Sequence, residues 1–72
     1  MAKRTFRQIT SKDYEQISNI LAVELERNDW VDVVGLRSWC MDECNKLGIK
    51  WWGKDNAFVI PTLIQKIYAK VA

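Results

Sequence analysis

Residues 49–61 read Ile49-Lys50-Trp51-Trp52-Gly53-Lys54-Asp55-Asn56-Ala57-Phe58-Val59-Ile60-Pro61. Two apolar runs, 49–52 and 57–60, flank Gly53-Lys54-Asp55-Asn56, whose residue types favour a turn. The pattern predicts a β-hairpin over 49–60. Pro61 then suits the first residue of a helix, where an N–H would lack an intrahelical partner in any case. Leu63, Ile64, Ile67, Tyr68 and Val71 follow at spacings of three and four, predicting a helix over 61–71 with those residues on its buried face. A hairpin alone is marginal in water, so the helices must cover it or a further strand must join it.

Upstream of the hairpin, Val33, Leu36, Cys40, Cys44 and Leu47 form one apolar stripe, with Trp39 at its edge. This predicts a helix over 30–47, capped by Asp29 or Asp32. Gly48 is placed to end it in the left-handed conformation, and Ile49 to pack back on its last turn. Further upstream, Tyr14, Ile17, Leu21 and Leu25 share a face, with Ile20 beside them, predicting a helix over 11–27. Thr10 and Asp13 stand at capping-box spacing before it. Thr5 to Ile9 alternates loosely, so residues 1–9 read as a basic arm or a short strand.

The expected architecture is therefore a single α+β domain spanning residues 1–72. It has the order of a small winged-helix-like fold: three helices, a β-hairpin wing at 49–60, and a short N-terminal strand able to join it. A tight helix-turn-helix does not fit. With Cys44 at its small-residue position and Gly48 at its turn, the next apolar positions fall on Lys54 and Ala57.

At 72 residues the core is small, yet an apolar share of 49% with four Trp argues against disorder. No apolar run reaches the length of a membrane span, and the basic start has no apolar core behind it. A cytosolic protein with reduced thiols is expected, with no membrane and no small-molecule substrate as partner. The net charge of +2 is unevenly spread. Residues 1–11 carry +3; residues 12–43 hold Lys12, Arg27 and Arg37 against eight acids, a balance of −5; residues 44–72 carry +4. Such a bipolar chain is compatible with a polyanion partner or with solubility alone.

The chain has no His and only three scattered Gly, which removes the commonest general base and any glycine-rich phosphate loop. An enzyme is not expected, nor a cofactor. Cys40 and Cys44 could offer two metal ligands, but a tetrahedral site needs four, and both thiols fall on the apolar stripe; core packing is expected and no metal. Trp51 and Trp52 alternate along the expected strand, one ring inward and one outward. The constellation with a mechanism is the second helix, whose polar flank offers Arg37, Ser38, Met41 and Asn45 to a DNA major groove. Lys50 and Lys54 on the hairpin would lie along a phosphate backbone or in the minor groove, and Lys3, Arg4 and Arg7 would supply a basic arm.

On Leu36-Arg37-Ser38-Trp39, Gly53, Phe58 and Ile60-Pro61, residues 32–67 resemble the phage excisionases, small winged-helix DNA-binding proteins that set the direction of site-specific recombination. The resemblance implies that Arg37 contacts DNA, Trp39 supports the recognition helix and Lys54 stands at the wing tip. It implies binding and bending of double-stranded attachment-site DNA beside an integrase and further copies of the chain. Ser38 replaces a second basic residue of that pattern, and Asp42 and Glu43 add negative charge, so weak and salt-sensitive binding is expected. The alternative reading is a small phage-type protein-binding module or inhibitor that grips a host protein through its Trp residues and acidic middle, which could mimic DNA.

Overall fold

In the computed structural model, residues 5–28 and 30–71 are described; Lys3 and Arg4 lie outside that set. Three helices follow one another: α1 (Ser11–Arg27), α2 (Val33–Leu47) and α3 (Val59–Val71), with a single 3₁₀ turn at Lys54–Asn56 between the last two.

The start of α1 follows its sequence closely. Thr10 Oγ1 accepts from Asp13 N–H at 3.3 Å, and the Asp13 carboxylate accepts from Thr10 N–H at 2.9 Å, completing a capping box. Arg7 adds two donors to the same carboxylate, its Nη2 lying 2.9 Å from Oδ1. Helix α2 begins at Val33 rather than at residue 30, with Asp32 Oδ1 accepting from Gly35 N–H at 2.9 Å. It ends at Gly48, whose φ of 69° places it in the left-handed region. The Gly48 N–H then bonds Asn45 O at 3.2 Å, and Ile49 N–H bonds Cys44 O at 2.8 Å, the paired closure that a left-handed glycine permits. Ile49 is fully buried.

The expected hairpin does not form, and this corrects the α+β winged-helix expectation to an all-helical domain. Among the described residues the extended pairing amounts to one parallel bridge, Arg7 with Ile49, built on Arg7 N–H to Gly48 O and Lys50 N–H to Arg7 O, each 2.8 Å. The N-terminal segment therefore touches residues 48–50 but makes no three-stranded sheet. Lys54 sits in the 3₁₀ turn and not at a wing tip. Gly53 turns the chain with φ of 93°, and Asn56 N–H closes the turn onto Gly53 O at 3.1 Å. The Asn56 side chain is buried; its Nδ2 reaches Trp52 O at 3.3 Å, while its Oδ1 has no hydrogen-bond partner among the described residues.

The run Ala57-Phe58-Val59-Ile60 enters α3 instead of a strand. Val59 and Ile60 continue the spacing of Leu63 and Ile67 one turn backwards, and all four are buried. Pro61 becomes the third residue of α3, where its missing N–H still costs nothing, because the first four N–H groups of a helix lack intrahelical acceptors. Four consecutive apolar residues carry no period, so they serve a buried helix turn as well as a strand. Tyr68, expected inside, is exposed.

The core joins Ile17, Leu21 and Leu25 of α1, Leu36, Cys40 and Cys44 of α2, and Leu63 and Ile67 of α3, with α1 packed most extensively on α3. Ser18 is buried within it and returns its hydroxyl to Tyr14 O at 2.6 Å.

Asp13 links the N-terminal segment to α1 electrostatically. The Arg7 guanidinium does most to hold its carboxyl below the ordinary carboxylate range; burial opposes this, and the Thr10 N–H and hydroxyl add to it. A depressed folded pKa stabilises above the unfolded value, near pH 4, and that contribution is lost as pH falls. Asp13→Asn is expected to lower the melting temperature at neutral pH and to flatten its decline below about pH 4. Thermal melts followed by circular dichroism across pH check this, and parallel pH profiles for the two proteins would refute it.

Candidate functional site

The outer strip of α2 carries most of the residues that the sequence singles out. Arg37 and Ser38 are exposed, Met41 and Asn45 half-buried, and helical spacing sets them along one side, with exposed Asp42 between Ser38 and Asn45. Asn45 faces inward work as well: its Oδ1 accepts from Trp51 Nε1 at 2.9 Å. Trp51 is thereby held half-buried over the end of α2. Trp52 stands out at 40% exposure and meets Phe6 and Trp51 edge to face, at centroid distances of 4.8 and 5.6 Å. Lys50 follows the bridge to Arg7 and is half-buried, and Lys54 is exposed on the 3₁₀ turn. Arg7 spends its guanidinium on Asp13. The structure thus keeps the strip of Arg37, Ser38, Met41 and Asn45 together, while Lys50, Lys54 and Arg7 belong to other segments, and Lys3 and Arg4 lie outside the described residues.

A different feature dominates the surface. Between α1 and α2 runs a furrow of about 400 Å³, bounded by Ile20 and Glu24 on one side and by Trp39, Asp42, Glu43 and Lys46 on the other. On the far side of Trp39 lies a second recess of about 220 Å³, lined by Trp30, Val31, Asp32 and Gly35. Trp39 is half-buried and forms the ridge between the two. Gly35 opens the second recess, since a Cβ there would stand 3.0 Å from Val31 Cγ1. In the walls of this double furrow, large apolar side chains are left in water: Trp30 at 78% exposure and Ile20 at 43%.

Its rim is acidic. Lys46 Nζ lies 3.4 Å from Glu43 Oε1, an exposed pair one helical turn apart. Among the described residues no cation reaches Glu24 or Asp42, and Asp32 is bonded to a helix N-terminus rather than to a cation.

Helical spacing alone does not bring Ile20 and Trp30 together at Trp39. The available signal is that Ile20 sits beside the Tyr14–Leu25 stripe and that Trp30 lies in a short acidic connection. Trp39 was read as a support at the edge of its stripe, and it is the centre of the surface.

The thiols are core groups, as the stripe implied. Cys40 and Cys44 are fully buried, and burial pushes them up to about 12 and about 11 respectively. Among the described residues no group of three or more His, Cys, Asp or Glu is placed to hold a metal, and no helix is long and apolar enough to cross a membrane. No family model, no curated protein and no solved structure matches the chain.

Two outcomes follow for these side chains. A disulfide reagent at about pH 8 should leave both cysteines unmodified in the folded protein and label both once it is denatured, because thiolate and access are each suppressed. Asn45→Ala should cost about 1 kcal/mol through the lost indole bond. Chemical denaturation followed by Trp emission measures it; an unchanged midpoint would mean that Asn45 does not hold Trp51.

Proposed function

We propose that this domain is a protein-binding module that docks a partner on the furrow between α1 and α2. The carrying observation is that two exposed apolar side chains, Ile20 and Trp30, line the recesses on either side of Trp39. Small domains rarely leave such residues together in water unless something covers them, and aromatic anchors set beside pockets are the usual centres of binding energy. The reading is non-catalytic: side chains bury and charges orient. A partner of ordinary interface size covers about 800 Å² of each protein, a modest share of the 5033 Å² accessible here. The rim carboxylates of Glu24 and Asp42 would favour cationic approach and exclude anionic competitors.

The test is co-purification with immobilised wild-type protein beside Ile20→Glu, Trp30→Ala and, as a control on the outer side of α3, Gln65→Glu. A stoichiometric partner should be lost with the first two and kept with the third, all three variants remaining helical by circular dichroism. Equal recovery by all four proteins would refute the furrow as the docking surface.

A second reading, binding of double-stranded DNA through α2, is favoured by the strip of Arg37, Ser38, Met41 and Asn45. Asp42 lies on the same strip and opposes phosphate. An accessory role beside an integrase, with several copies on DNA, rests on the excisionase resemblance alone. In a gel shift at low salt this reading expects binding that Arg37→Ala weakens. No retardation of any duplex at low salt would remove it.

A further inference from the structure

We infer that the occupant of the Trp39 furrow is a basic amphipathic helix of a partner protein, a statement that rests on the docking reading above and sharpens it. The first argument concerns backbone. Both walls of the furrow are α-helices whose main-chain groups are bonded within themselves, and among the described residues neither wall offers a strand edge. An extended peptide laid there would bury its own N–H and C=O groups without partners, which is costly. A helix arrives with those groups already satisfied and presents side chains at i, i+3, i+4 and i+7 to a groove.

The second argument concerns charge. Among the described residues of the lining, Glu24 stands on the α1 wall, Asp42 and Glu43 on the α2 wall and Asp32 beyond Trp39, against one cation, Lys46, which is engaged with Glu43. Covering these carboxylates with an apolar or acidic surface would strip their water without replacement. Lys and Arg lay aliphatic stems on an apolar floor and carry their charge to its rim, so basic flanks on an apolar helix meet both requirements. An Arg beside the Trp39 ring would gain a cation–π contact as well.

Among the described residues, α3 with Lys66 and Lys70 is a poor source of such a helix in a second copy of the chain: Val59, Ile60, Leu63 and Ile67 are already buried, and Lys70 is paired with Glu15.

The test uses the intact protein, isotope-labelled, and two synthetic probes about four helical turns long. Both carry Leu at helical spacing, one with Lys and the other with Glu elsewhere. Titration followed by amide and indole resonances should show the Lys probe shifting Trp39, Ile20 and Glu24, with affinity falling about tenfold when salt is raised to screen the rim. Glu24→Lys combined with Asp42→Lys should abolish preference for the Lys probe, and neither residue supports the core. The inference is overturned by equal affinity for the two probes, by shifts confined to residues away from the furrow, by persistence of the preference in the double variant, or by no shift with either probe. These results do not decide the docking reading. Co-purification that depends on Ile20 and Trp30, with a partner that is neither helical nor basic at the contact, would keep the docking reading and sink the helix.

Discussion

The left-handed turn at Gly48 is the constraint on which the rest of the domain depends. It stops α2, releases the Gly48 carbonyl to Arg7 and drives Ile49 into the core. Once Ile49 is fixed, Trp51 folds back on Asn45 and the chain has only a short span in which to reverse before α3. The N-terminal segment is held through the same point, since among the described residues its backbone bridge is to residues 48–50 and its salt bridge is to the cap of α1. A residue with a Cβ would resist that φ by about 1 kcal/mol or more, and at this residue the N-terminal segment, the end of α2 and the approach to α3 meet.

How much of this could be read beforehand varies by element. Helix α1 was legible to its ends, because Thr10, Asp13 and an apolar stripe all point the same way. The end of α2 was legible for the same reason, through Gly48 and Ile49. Its start was ambiguous between two Asp residues, and Asp32 takes the cap. The stretch 57–60 was not legible as helix. Its four apolar residues fit either element, and Pro61 was assigned to the first helical position, when a helix tolerates proline anywhere among its first unpaired N–H groups. What decides the case is tertiary: Val59 and Ile60 gain more from completing the face that Leu63 and Ile67 present to α1 than from pairing with 49–52.

The candidate site was less legible than the fold. Helical spacing was enough to predict that Arg37, Ser38, Met41 and Asn45 share a strip. It could not show that α1 and α2 lie side by side with Trp39 between two recesses, because that depends on how the helices cross. The uneven charge along the chain did leave a trace: several acids of the −5 segment gather on the furrow, while the C-terminal lysines Lys54, Lys66 and Lys70 belong to the turn and α3. Lys46 of the basic segment stands in the furrow as well, and Lys70 pairs with Glu15 of the acidic one, so the division along the sequence is only partly kept in the fold.

The turn at residues 53–57 has a dynamic consequence. Asn56 is buried with its Oδ1 lacking a partner among the described residues, a situation that costs roughly 1–3 kcal/mol, while Gly53 nearby has open space where a side chain would be. Hydrating that oxygen returns part of the cost, so the free energy of exposing this turn is lowered relative to the helices on either side. The domain therefore has a built-in weak seam between α2 and α3. Local opening of this turn, with the α1–α3 interface left closed, is the route by which its amide protons are expected to exchange.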